Sequence, residues 1–174
     1  KEIADYLLPD GKTIVSFKGK GIDDSTYSSD DGHEVDVPII LLVNGESASA
    51  SEVLTGALKD NEWATIVGEK TFGKGIAQGV FNLPDGSGVK LTTAYYYTPS
   101  GECIHKLGIE PDVAVVLDEN LKSKIEIPKE EDNQLQTALE VFEEGVDAVN
   151  EKIAAENGET ESTDDDFEAK VEEQ

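Results

Sequence analysis

The sequence predicts a mixed α/β fold, on three observations. Residues 37–43, VPIILLV, form a continuous apolar run of the kind a strand buried on both faces requires, and a turn and a helical pattern follow at once. Residues 76–83 and 89–97 are two β-rich segments joined by Pro84-Asp85-Gly86-Ser87-Gly88, a hairpin signal. Beyond Pro128 the apolar spacing changes to threes and fours, through Leu135, Leu139, Phe142, Val146 and Val149, which marks an amphipathic helix.

The chain opens with Ile3, Ala4, Tyr6 and Leu7 in a helical pattern stopped by Pro9-Asp10-Gly11. Residues 13–17 read as a short strand, and the Gly-, Ser- and Asp-rich stretch after them as an exposed loop or flexible hairpin. The run 37–43 is expected to be the central strand of a sheet. Asn44-Gly45-Glu46 ends it, and SASASEVLTGALKDN begins a helix with Val53, Leu54, Ala57 and Leu58 on its apolar side. Residues 64–67 read as another short buried strand, GEKTFGKG as a glycine-punctuated loop and 113–117 as the last strand. From about residue 157 the text turns acidic and apolar-poor, cannot bury enough surface to offset chain entropy, and is expected to be disordered or a lone helix. The organisation expected is a core over 1–128, a helical extension over 129–156 that docks on it, and an acidic tail over 157–174.

Charge removes several classes of function. Fourteen basic residues against 38 acidic ones give a formal net charge of -24, which opposes phosphate backbones and anionic membrane surfaces, so neither nucleic acid nor membrane contact is expected. Cys103 is the single cysteine, which excludes an intrachain disulfide and a multi-thiolate zinc site; His33 and His105 are too few for a histidine-rich one. No metal or other cofactor is expected. No run of 18 apolar residues exists and the start lacks a signal-peptide pattern. The sequence has no methionine, even at position 1, which is simplest if Lys1 is internal to a longer precursor.

The chemistry concentrates at two places. Ser49 follows a buried strand and opens a helix, where unpaired N–H groups and the positive end of the helix dipole favour an oxyanion, with Ala50 N–H as the natural donor. Ala48 and Ala50 beside it let a substrate backbone approach. The plainer reading is that Ser47, Ser49 and Ser51 only cap the helix. A serine nucleophile needs a base, and neither histidine lies in a segment that reads as an active-site turn. Lys74, flanked by Gly73 and Gly75 between apolar segments, can be led into a cleft and desolvated; the site is then expected to be locally apolar and distant from carboxylates. Gln78, four residues on, is placed to hold the amine by a hydrogen bond. The plainer readings are a solvated loop lysine and an ordinary strand residue. Residues 68–76 lack the order of a phosphate-cradling Walker A loop.

Three blocks, LLVNGESASASEVLTGALKDN, IVGEKTFGKGIAQ and LTTAYYYTPSGECIHKLGIEPDV, resemble the carboxyl-terminal processing peptidases, also called tail-specific proteases, in order and separation, including the 25 residues from Ser49 to Lys74. The resemblance spans about residues 1–140. It implies a crotonase/ClpP-like α/β core of stacked β-sheets with flanking helices, and a catalytic Ser49, Lys74 and supporting Gln78. It also implies hydrolysis of peptide bonds near protein C-termini through an acyl-enzyme, with protein or peptide substrates bearing apolar C-termini. Asp60 matches a recurring family position read as structural. Location outside the cytoplasm follows from the resemblance alone, and self-association is left open. Family members carry upstream a PDZ domain and an Asn-Pro-Gly-Gly-type turn that supplies a second oxyanion donor; neither is in this sequence, so low activity is expected of the chain by itself. Two other readings stand beside this one: an inert binding or scaffold module of the same fold, and an acyl-CoA enzyme, against which the scarcity of basic residues counts.

Overall fold

The structure, a computed structural model, describes residues 1–20 and 23–157. Two sheets frame it. The helix α1 (Glu2–Leu7) leads into β1 (Thr13–Lys18), which turns back as β2 (Ser25–Ser28). The other edge of β1 pairs antiparallel with β6 (Gly88–Tyr97), and β6 pairs with β5 (Ile76–Asn82), giving the order β2-β1-β6-β5. The second sheet is parallel, in the order β3 (Ile40–Val43), β4 (Thr65–Gly68), β7 (Val113–Ala114). Parallel neighbours need a crossover, and α2 (Ala50–Asp60) supplies it between β3 and β4.

The mixed α/β class is as the sequence predicts. One core forms where α2 meets the antiparallel sheet: Ala57 and Leu58 of α2 cluster with Ile14 and Val15 of β1 and with Ala4 and Leu8 at the first helix. Leu41 of β3 and Tyr96 of β6 pack at its margin, so α2 is held against both sheets. The second core joins Val67 and Val113 of the parallel sheet to Ala138, Val141 and Val149 of the C-terminal helices.

Three expectations are corrected. The run 37–43 gives a strand only over β3, and β3 lies at an edge: among the described residues its ladder runs to β4 alone, Leu42 is exposed and only Val43 is buried. β4, paired on both sides and buried from Ile66 to Gly68, is the interior strand. The Gly- and Ser-rich stretch after β1, by contrast, takes the hairpin form of its two expected alternatives, returning as β2. The C-terminal helix is two helices, α3 (Asn133–Glu144) and α4 (Val146–Glu156), parted at Gly145, whose φ of 90° breaks the helical path. Their inward stripe is also rotated. Ala138 and Val141 are buried while Leu139 and Phe142 are 48% and 53% exposed. The first turn fixes that rotation, because Asn133 and Gln134 donate side-chain hydrogen bonds to the carbonyls of Val116 and Val115 at 2.8 and 2.9 Å. The expected tail lies, apart from its first residue, outside the described residues.

Candidate active site

Ser49 stands between the turn after β3 and the first residue of α2, with φ 57° and ψ -108°. A non-glycine residue at positive φ crowds its Cβ against the backbone and costs about 1–3 kcal/mol, so neighbouring bonds must impose it. They do. Ser49 N–H donates to Glu52 Oε2 at 2.9 Å, its carbonyl accepts from Val53 N–H at 3.0 Å, and the Ser47 carbonyl accepts from Phe72 N–H at 3.0 Å. An ordinary cap residue has extended backbone and spends its side chain on the helix. Ser49 sits over the third amide of α2 in a capping-box arrangement, yet its hydroxyl makes no cap hydrogen bond. Ser49 is half-buried there, and Ala50 N–H, the first amide of the helix, has no acceptor among the described residues.

The residue that organises the place is Glu52, whose side chain is completely buried. One oxygen, Oε1, accepts from Thr71 Oγ1 at 2.7 Å and from Gly73 N–H at 2.6 Å. The other, Oε2, accepts from Ser49 N–H at 2.9 Å and from Lys74 N–H at 2.8 Å. Both oxygens therefore act only as acceptors, the role of a carboxylate, and the four donors compensate its burial. Thr71 Oγ1 in turn accepts from Ile109 N–H at 2.8 Å. One carboxylate oxygen thus joins the backbone of Ser49 to the backbone of Lys74.

The loop that carries Lys74 is tied at every residue from Thr71 to Gly75. Besides the bonds to Glu52, Thr71 N–H donates to the Ile109 carbonyl, Gly73 accepts from Lys106 N–H at 2.8 Å and Gly75 accepts from Tyr96 N–H at 2.9 Å. The turn at residues 104–108 folds directly over it, and that turn explains both flanking glycines. A Cβ on Gly75 would lie 2.5 Å from His105 N, and one on Gly73, where φ is 87°, would lie 2.9 Å from Gly108 N. Lys106 itself is held at φ 65°.

Two cavities flank Ser49. One of about 360 Å³ is lined by Ser49 and Ala50 with Val15, Phe17, Val53 and Tyr96. The other, of about 790 Å³, is lined by Ala48, Phe72, Lys74, Ile76 and His105, with Glu46 and Lys106.

The predicted residues are therefore only partly assembled. Ser49 and Lys74 come together through their backbones, with Ala50 next to Ser49, but no hydrogen bond joins the Ser49 hydroxyl to the Lys74 amine, and the two residues line different cavities. Lys74 is exposed, which corrects the expected desolvation: the loop's glycines let the covering turn press on its backbone and leave the side chain standing clear. The expected distance from carboxylates is corrected by Glu52, which serves as the loop's scaffold. Gln78 is exposed, makes no hydrogen bond to Lys74 and lies just after a bulge in the β5–β6 register, where Ala77 faces Ala94 but Gln78 faces Thr92. Bulges re-aim side chains next to sites. His105, set aside on sequence grounds, lines the Lys74 cavity; its Nδ1 is buried without a hydrogen-bond partner among the described residues. The Ser-x-x-Glu spacing of Ser49 and Glu52 is a capping-box signal that reveals the pair locally, whereas nothing in the sequence announces the bonds from Glu52 to residues 71–74. Asp60 is a backbone anchor, accepting from Ser100 N–H at 2.9 Å.

A model of peptidase family S41 matches residues 1–115. The chain is 44% identical over 145 residues to a protein of Synechocystis named carboxyl-terminal-processing protease, covering 83% of this chain and 33% of that one. It is 49% identical over 113 residues to a protein of Tetradesmus obliquus named C-terminal processing peptidase, chloroplastic, covering 64% and 24%. Among solved structures it matches a photosystem II D1 C-terminal processing protease at 44% identity and a TM-score of 0.62, covering 66% and 30%. The chain thus spans about a quarter to a third of the length of these curated relatives. No helix among the described residues is long and apolar enough to cross a membrane.

Proposed function

The chain belongs to peptidase family S41, and from that premise we propose that it is the core of a serine peptidase that hydrolyses peptide bonds near protein C-termini, with Ser49 as nucleophile and Lys74 as general base. The observation that carries this is Glu52: a buried carboxylate that holds the strained backbone of Ser49 and fixes, through the same oxygen, the loop bearing the amine of Lys74. Strain of that kind collects at functional sites.

In the reaction the Lys74 side chain, a flexible four-carbon stem on a fixed backbone, turns toward Ser49 as substrate fills the space between them and excludes water. Its uncharged Nζ takes the proton of Ser49 Oγ while Oγ bonds to the scissile carbonyl carbon. The carbonyl oxygen becomes an oxyanion, and Ala50 N–H faces it at the positive end of α2. The C–N bond then breaks, the departing nitrogen takes the proton from Lys74, and an acyl ester on Ser49 remains. Water gives a proton to Lys74 and attacks the ester carbon, the bond from that carbon to Ser49 Oγ breaks, and Oγ takes the proton back from Lys74, freeing the acid and restoring both residues. Gln78 holds the amine once it has turned in. Among the described residues β5 pairs with β6 alone, so its other edge offers backbone groups to an extended peptide, and substrate adds there as a strand. Protein substrates with apolar C-termini, a second oxyanion donor from sequence flanking this segment, and a place outside the cytoplasm complete the proposal.

The test uses the intact protein. Ser49→Ala and Lys74→Ala should each lower kcat by about 10⁴-fold or more while leaving circular dichroism unchanged, and Ser49→Ala should abolish labelling by a fluorophosphonate probe. Turnover retained in either variant ends the proposal, and absence of labelling in the wild type would leave an inert scaffold as the better account.

A further inference from the structure

The turn pressed on the Lys74 loop carries one ring that no step of the reaction above has used. His105 is tied to both residues that flank Lys74. A Cβ on Gly75 would lie 2.5 Å from its backbone N, and the next residue, Lys106, donates its N–H to the Gly73 carbonyl at 2.8 Å. The half-buried ring packs edge-on to Tyr95, with centroids 5.4 Å apart, and Tyr95 is the partner of Ile76 at the start of β5. Backbone and ring are therefore both set against elements that carry the site. His105 and Lys74 line the same cavity of about 790 Å³.

The two ring nitrogens have different surroundings. Nδ1 is buried and has no hydrogen-bond partner among the described residues, so Nε2 is the nitrogen left to face the cavity. A neutral imidazole carries its one proton on either nitrogen. On Nδ1 that proton would make a buried donor without an acceptor, which is rarer in folded chains than an unused acceptor. The proton accordingly belongs on Nε2, and the cavity wall gains a fixed, uncharged N–H donor. Lys74 and Lys106 are themselves donors, and the exposed Glu46 is the one carboxylate on that wall. The acceptor for Nε2–H is then supplied by what the cavity binds.

On the reading of Ser49 and Lys74 given above, we infer that His105 is a substrate-positioning residue, its Nε2–H donating to the first backbone carbonyl after the scissile bond. A base that takes the nucleophile's proton returns it to the departing nitrogen, so Lys74 lies on the leaving side of that bond and its cavity receives the leaving segment. A peptide strand laid along β5 turns the N–H and C=O of only every second residue to that edge. The residue between has its carbonyl turned away, and burying that group without a donor weakens binding. His105 meets this need through a group that every peptide has, whatever its side chains and wherever its chain ends.

The experiment uses the intact protein and two peptides that differ at one bond. In the second, a trans-alkene replaces the amide after the first leaving residue, removing its carbonyl while keeping its shape. Wild type should lose about tenfold in kcat/KM on the alkene peptide, the worth of one neutral hydrogen bond. His105→Phe keeps a ring against Tyr95; it should lose the same factor on the amide peptide and nothing further on the alkene. His105→Gln, whose side-chain N–H reaches a similar place, should recover most of the preference. A merely structural role would lower turnover of both peptides alike, so an equal amide-to-alkene ratio in wild type and His105→Phe overturns the inference and leaves the peptidase standing. A second arm needs neither turnover nor a His105 variant. In the Ser49→Ala protein the ring nitrogen resonances should report the proton on Nε2, and the Nε2–H resonance should move downfield with the amide peptide and stay in place with the alkene. A proton on Nδ1, or equal shifts with both peptides, overturns the inference. Shifts confined to the amide peptide without wild-type hydrolysis keep the donor and remove the peptidase; silence in both arms removes both.

Discussion

At the scale of single residues, the site turns on a side chain that carries no reaction. Glu52 satisfies four donors at once, and an amide in its place would turn an N–H₂ group toward N–H groups that need an acceptor. Glu52→Gln should therefore cost about 2–4 kcal/mol of stability. Denaturant unfolding checks that value; turnover should fall as well, since the backbone of Ser49 and the Lys74 loop both lose their fixed support. Ser49 and Lys74 can be picked out of the sequence as candidates, by residue type and separation. The strain at Ser49 is not legible there, because a positive φ runs against the local preference of serine and is held in part by a bond from the distant Phe72 to the Ser47 carbonyl. His105 is illegible for the same reason: residues 104–108 reach the Lys74 loop only after the chain has traversed the whole β5–β6 hairpin.

Elements explain why the loop of residues 71–75 tolerates so little change. Gly73 and Gly75 look like flexible punctuation in sequence; in the fold they are the points where a second turn presses on the loop backbone. Gly75→Ala places a Cβ 2.5 Å from His105 N, a backbone atom that cannot move aside alone. It should reduce turnover by at least about tenfold, in line with the cost of small misplacements in a reacting geometry, and shift the amide resonances of residues 104–108; unchanged spectra would show that the turn does not bear on the loop. Strands and the α2 helix were legible because short apolar runs bounded by turn residues have few alternatives. The rank of the strands was not: the apolar run at 37–43 looks central, yet the fold gives that place to the shorter β4. Likewise the spacing of Leu135, Leu139 and Phe142 predicts a helix correctly and its buried face incorrectly, since the small Ala138 and Val141 let α3 approach the sheet more closely than leucine would allow.

At the scale of the whole molecule, two cores meet at the parallel sheet, where Leu41 packs on the first and Ile40 and Val67 on the second, and the second depends on the C-terminal helices. Val149, on α4, is fully buried against Val67 and Val113 of the parallel sheet. Val149→Ala should cost about 2 kcal/mol, lowering Tm by about 4–8 °C, which calorimetry would detect; no change would mean that α4 adds nothing to the sheet it covers. The composition indicated the acidity and its concentration toward the end. It could not indicate which helix faces would cover the parallel sheet.

Glu52 also has a bearing on how the protein fails. Because a single carboxyl group is the common fastening for two stretches of chain, neither can come loose while the other stays in working order. Catalytic competence should accordingly vanish in one step along a urea titration, with loss of turnover and exposure of the buried glutamate's amide partners to solvent exchange coinciding at one midpoint.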